Sequence, residues 1–353
     1  MTHKSGFLKS LAIMTAVTGI LVLVLEAGSR LFLWQPAMEG NLGHIRYGFT
    51  PNGLGDLHPG QDGVYTAHPE LPYHVVSNRD GFRNRQQVQP DMPTILALGD
   101  SQTFGLFTHA HDIWTDWLQF YLRRDKPKLQ ILNNGIPGAS IQDALDYYRT
   151  KGVRLKPDLV LLCVYVNDVA DLRSTDTIRA QGISMEQQVR FSDLRWFLRQ
   201  HSALYDMAKS VRDALTRTEI QARNNAVPVN SPDARLAQNS FKTASLPFDK
   251  YEALFVEFLN LVNDNGAGLA VAYLPGPNTA EANAEIGAFI TQLAARHNLP
   301  FLDLSPSLAT RPVDEVYLTR DGDGDYPSDI HLSRSGHMLI AKALAPFVAT
   351  HIK

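Results

Sequence analysis

Five apolar runs without strict alternation punctuate the sequence, at 94–98, 129–132, 158–166, 268–274 and 300–304. Uninterrupted runs of this length fit strands covered on both faces. Between and after them, apolar positions recur at helical spacing over 113–124, 141–153, 248–265, 281–297 and 333 to about 350. Strand and helix alternate, which predicts an α/β fold with a parallel sheet. The alternation breaks between 171 and 246. Residues 185–220 carry the apolar positions of a helix or helix pair, and 222–246 are polar with few anchors. The stretch 171–246 is therefore an insertion, either a cover for one sheet edge or a lid over a site.

The first 36 residues follow a different pattern. His3, Lys4 and Lys9 precede an uncharged apolar run over 11–25, then Glu26 and Arg30 intervene before Leu31-Phe32-Leu33-Trp34 and Pro36. The run alone would span ~22 Å as a helix, short of the roughly 30 Å hydrocarbon core. A helix over 7–34 is long enough, and Glu26 and Arg30, four apart, pair on one face. Leu25-Glu26-Ala27 is a poor match to a small-x-small cleavage site. Residues 1–36 are thus expected to be a signal anchor that places the protein in a membrane. The lysines before the span keep the N-terminus inside, with the rest exported to a periplasmic or extracellular face. Residues 37–92, rich in turn chemistry, should form an irregular segment with one or two short strands packing on a main domain over 93–353.

Composition narrows the function. Net charge is -3, and no basic stripe interleaved with aromatics suggests nucleic acid as a partner. Cys163 is the single cysteine, so no internal disulfide forms, and its apolar run marks it as a buried strand residue. Asp321-Gly322-Asp323-Gly324-Asp325 is patterned like the start of a calcium loop but lacks the downstream bidentate glutamate. An acidic surface loop is expected there. No metal or cofactor is expected.

Candidate chemistry gathers at strand ends. Gly99-Asp100-Ser101 follows the first run, where parallel sheets present reactive groups. A serine hydroxyl needs a base, or else Ser101 simply caps the next helix. Asp329-Ile330-His331 precedes the last helix; in extended backbone these two side chains share a face, so Asp329 can orient His331. His337 reads as a helix-face residue. Gly138 can offer an unshielded N–H, and Asn167 an uncharged amide donor, each suited to an oxyanion. The frame is not the Gly-x-Ser-x-Gly elbow of α/β-hydrolases.

Taken in order, Gly99-Asp100-Ser101, Asn134 to Gly138, Asn167-Asp168 and His331 resemble the blocks of the SGNH (GDSL-type) hydrolase family over roughly 94–350. The resemblance implies a flavodoxin-like three-layer α/β/α sandwich. It implies Ser101 as nucleophile, His331 as base, and the Ser101 N–H, Gly138 N–H and Asn167 side chain as the oxyanion hole. The family places its acid three residues before the histidine; that position is Ser328 here, and Asp329 lies two before. The expected activity is a serine esterase acting on carboxylic or O-acetyl esters, of small molecules or of envelope or exported glycans. An O-acetyltransferase with the same triad and a non-catalytic glycan-binding protein on this scaffold stay open alternatives.

Overall fold

The computed structural model describes residues 2–32, 47–49, 55–57, 59–65, 73–172, 246–277, 280–318 and 331–352, and scattered positions between 198 and 208. The chain divides into two compact units, Met1–Met38 with Glu186–Ser240, and Glu39–Met185 with Phe241–Lys353.

In the first unit, Thr2–Phe32 forms one helix, α1. Its stretch Lys9–Leu31 has mean hydropathy 2.1 and is long and apolar enough to cross a membrane. Arg30 donates to Glu26 at 2.8 Å, the pair that the four-residue spacing predicts.

The second unit opens with two short antiparallel pairs. Tyr47–Phe49 (β1) pairs with Gly55–Leu57 (β2), and Asp62–Tyr65 (β3) with Tyr73–Val76 (β4). Four strands thus stand where one or two were expected. The main sheet follows: Thr94–Gly99 (β5), Gln130–Gly135 (β6), Leu159–Tyr165 (β7), Gly268–Leu274 (β8) and Phe301–Asp303 (β9). All pairings are parallel, in the order β6-β5-β7-β8-β9. That is the flavodoxin-like order, and the crevice beyond the carboxyl ends of its central strands is where such sheets bind ligands. Strands β6 and β7 are buried at every residue; for β7 this follows from its continuous apolar run, while β6 also buries Gln130, Asn133 and Asn134.

Helices cover both faces. Ser101–Phe104 (α2) and Trp114–Leu122 (α3) connect β5 to β6. Ile141–Tyr147 (α4) continues through a π-helical turn, Tyr148–Gly152, toward β7. Phe248–Asp264 (α5) and Ala280–Arg296 (α6) flank β8. Ser305–Leu308 (α7), Val313–Val316 (α8) and Arg334–Ala349 (α9) complete the chain. Helix α3 packs on α9, α4 packs on α5, and Phe289 of α6 meets Phe248 and Tyr251 of α5. The buried face of α5 is Tyr251, Phe255, Phe258, Leu259 and Val262, a helical repeat in which each large side chain contributes roughly 1.5–3 kcal/mol.

Two details fix the strand ends. Cys163 lies inside β7, and burial pushes its thiol well above the ordinary range. The end of β6 lies so close to α2 that a Cβ on Gly135 would sit 2.1 Å from Phe104 N and 2.5 Å from Thr103 C. Both are backbone atoms that cannot swing aside. Gly135→Ala should therefore cost about 1–3 kcal/mol or more in overpacking, read as a lowered urea midpoint with an unchanged m-value.

Candidate active site

The first turn after β5 is built to hold a serine at a helix start. Asp100, fully buried, is the N-cap of α2, and its Oδ1 accepts the Gln102 N–H at 2.9 Å. Capping therefore falls to Asp100, and Ser101 takes the first helical position with its side chain released. The Ser101 Oγ lies 2.9 Å from Nε2 of His331 and 3.4 Å from Oδ2 of Asp100. Burial pushes the Asp100 carboxyl up to about 6, against the Gln102 N–H, the charge of His331 and the Ser101 hydroxyl, which favour ionisation.

His331 precedes α9 and is held from several sides. Its carbonyl accepts the Leu318 N–H at 2.8 Å. The next residue, Leu332, donates its N–H to Oε1 of Gln102 at 3.2 Å, so the residue after the serine anchors the residue after the histidine. The imidazole meets the edge of the Phe107 ring, with centroids 5.4 Å apart at 83°. Phe107 has φ +62°, a left-handed conformation that a bulky residue adopts only under surrounding constraint. Asp329 lies outside the described residues, as does the acidic stretch 321–325.

The expected oxyanion donors sit in two further loops. Gly138 follows β6 with φ +77°, and nothing lies within 4 Å of where a Cβ would be, so its backbone is open to a ligand. Asn167 follows β7 and donates from Nδ2 to Asp171 at 2.9 Å. The structure thus brings Ser101 and His331 into direct contact and sets Gly138 and Asn167 at the carboxyl ends of the two strands that flank β5.

Several polar residues at these strand ends gave no sequence signal. Arg83, Gln102 and Asp171 are three, and the apolar Phe107 beside them gave none either. His337 is a helix-face residue of α9, on the face turned inward. It is buried, and its Nδ1 accepts the Trp114 N–H at the start of α3, where the N-cap Ile113 has no side chain to offer. Burial, Arg83 and His331 together hold its pKa down to about 3. No group of three or more histidine, cysteine or carboxylate side chains among the described residues could hold a metal ion.

A model of the GDSL-like lipase/acylhydrolase family matches residues 97–339. No curated protein matches the sequence. Among solved structures, a catalytic mutant of Axe2, an acetylxylan esterase from Geobacillus stearothermophilus, aligns with TM-score 0.42 and 16% identity over 74% of this chain and 96% of that one. LAE5, an alpha/beta hydrolase enzyme from the metagenome of Lake Arreo, aligns with TM-score 0.44 and 16% identity over 74% and 96%.

His337 generates a pH prediction. Its pKa is near 6.5 when unfolded and about 3 when folded, so the unfolded chain binds the extra proton and stability drains away as pH falls from 6.5 toward 3. In His337→Asn, whose amide oxygen can still accept the Trp114 N–H, this loss, up to ~4 kcal/mol, should be absent. Chemical denaturation of both proteins at pH 7 and pH 4.5 checks it.

Proposed function

A member of the GDSL-like lipase/acylhydrolase family, this chain hydrolyses ester bonds, and we propose that it does so through Ser101 as nucleophile and His331 as its base. The observation that carries the proposal is the 2.9 Å approach of Ser101 Oγ to His331 Nε2 across 230 residues of sequence. A hydroxyl is a weak nucleophile unless a neighbouring base takes its proton as it attacks.

The reaction runs in two halves. His331 Nε2 accepts the hydroxyl proton while Oγ bonds to the ester carbonyl carbon. The carbonyl oxygen, now carrying the charge, is held by the Ser101 N–H, the Gly138 N–H and the Asn167 amide. The tetrahedral intermediate collapses as His331 passes the proton to the departing alcohol, leaving the acyl group on Ser101. Water then attacks the acyl-enzyme with His331 again as base, and the acid leaves. Asp329 is the group proposed to orient His331. Its place in the sequence supports that role.

The substrate proposed is a carboxylic or O-acetyl ester on an envelope or exported glycan, with the enzyme tethered through α1. Support for a retained tether comes from Glu26. Its carboxylate accepts the Ser202 hydroxyl at 3.0 Å and the N–H groups of Ala203 and Leu204 at 2.9 and 3.1 Å, besides the Arg30 bond. A leader cut away after export would strip those three donors of their acceptor. The lysines ahead of α1 support an inside N-terminus and an exported catalytic domain.

A fluorophosphonate should label the protein stoichiometrically on Ser101, and neither Ser101→Ala nor His331→Ala should label. A native protein that stays unmodified sinks the nucleophile assignment. Asn167→Ala should lower kcat by roughly 10²–10³ through loss of one oxyanion donor, measured on a small acetyl ester. For the tether, N-terminal sequencing of protein recovered from membranes should begin before residue 11, and release should require detergent rather than high salt.

A further inference from the structure

Asn167 is tied to the residue one helical turn ahead in both directions. The chain leaves β7, turns at 166–167 and enters a helical turn over 168–172. The Asp171 N–H donates to the Asn167 carbonyl at 3.0 Å, and Asn167 Nδ2 donates to Oδ2 of Asp171 at 2.9 Å. A primary amide carries two N–H groups in one plane. Committing one of them to Asp171 fixes where the other points.

Among the described residues, the charges that bear on Asp171 are acidic: Asp100 at the end of β5, Asp143 in the first turn of α4, and Asp168 in its own turn. His331 faces the same Asp100. Asp100, Asp143 and Asp168 are all buried. A carboxyl in such company gives up its proton reluctantly, and Asp171 is pushed up to about 7 by burial and by the charges of Asp100 and Asp143.

We propose that Asp171 is a positioning residue for the Asn167 amide, holding one of its N–H groups so that the second is aimed at the substrate oxygen. The inference rests on the reading of Asn167 as an oxyanion donor. In the neutral form, the carbonyl oxygen of Asp171 accepts one amide N–H and leaves the second for the substrate oxygen. In the ionised form the same bond persists, but a negative charge now stands one amide group behind the developing oxyanion. Like charge at that range opposes the transition state. The proton lost on the alkaline side goes to solvent, and no covalent step involves Asp171. The enzyme's rate should therefore fall as pH rises through the Asp171 titration.

The test uses the full chain in detergent with p-nitrophenyl acetate, after subtraction of background hydrolysis, over pH 5.5 to 9. Asp171→Ala should lower kcat at least tenfold at pH 5.5 to 6 with KM little changed, and the gap should narrow on the alkaline side as the native rate falls. Asp171→Asn, which keeps an acceptor and removes the charge, should recover most of that loss and abolish the alkaline fall, so that its advantage over the native enzyme grows toward tenfold by pH 8.5. In the Asn167→Ala background, Asp171→Ala should add nothing. Identical pH profiles for the native and Asp171→Asn enzymes, a change confined to KM, or additive losses would each overturn the inference. A silent Asn167→Ala overturns it together with the donor reading. A large Asn167→Ala loss beside silent Asp171 variants overturns it alone. Should Asp171→Ala fail to fold, the Asp171→Asn profile still decides.

Discussion

A cation sealed in the interior ties the strand-end loops of this protein together. Arg83 is only 2% exposed. Its guanidinium donates to the carbonyls of Phe104, Gly105 and Thr108, the last two at 2.6 Å, and lies over the Phe104 ring at 4.1 Å. Those carbonyls belong to the end of α2 and the loop beyond it, groups that a helix leaves without partners of its own. Charge-assisted bonds of this kind are about twice as strong as neutral ones, and removing the donor would leave three buried acceptors unsatisfied. The loop that Arg83 grips carries Phe107, whose ring touches both Tyr73 and His331. The path from a buried arginine to the proposed base is thus two side chains long.

The electrostatics behind the serine are divided. Burial, with Arg83 and His331 bearing on one side, keeps His337 neutral, which lets it serve as an acceptor for the start of α3. On the other side Asp100, Asp143, Asp168 and Asp171 crowd one another, and burial raises Asp100, Asp168 and Asp171 above the usual carboxylate range. Four buried atoms on three residues near these strand ends, the Oδ1 of Asn167, the Oδ1 of Asp168 and the Oδ1 and Nδ2 of Asn134, have no hydrogen-bond partner among the described residues.

How much of this was legible beforehand depended on the range of the interactions. The central strands were located because they are covered on both faces, so their apolar runs are continuous; observed limits such as Gly268–Leu274 match the pattern residue for residue. The helices followed from their buried stripes. Ser101 and His331 were legible as chemistry, since each sits where a strand or helix begins or ends. Arg83 was not, because a lone arginine among turn residues looks like any solvated charge until its three carbonyls, 21 to 25 positions away, fold around it. Asp171 fell at the start of a stretch that read as an insertion. His337 shares its helix with apolar neighbours, and only the approach of α3, 223 residues earlier, turns it inward.

The outer rim of β6 shows how the sheet avoids recruiting a stranger. Its outward N–H groups at Ile131, Asn133 and Gly135 donate to side-chain oxygens of Gln119, Asn84 and Asn133. Its carbonyls at Ile131 and Asn133 accept from the Asn84 amide and the Arg83 N–H. An open ladder here would be a template for another chain in the crowded moments after synthesis, when many copies emerge side by side. By saturating the rim with local amides, the polypeptide closes this edge to templated pairing, and the same arginine that steadies the loops also supplies one of the rim's donors.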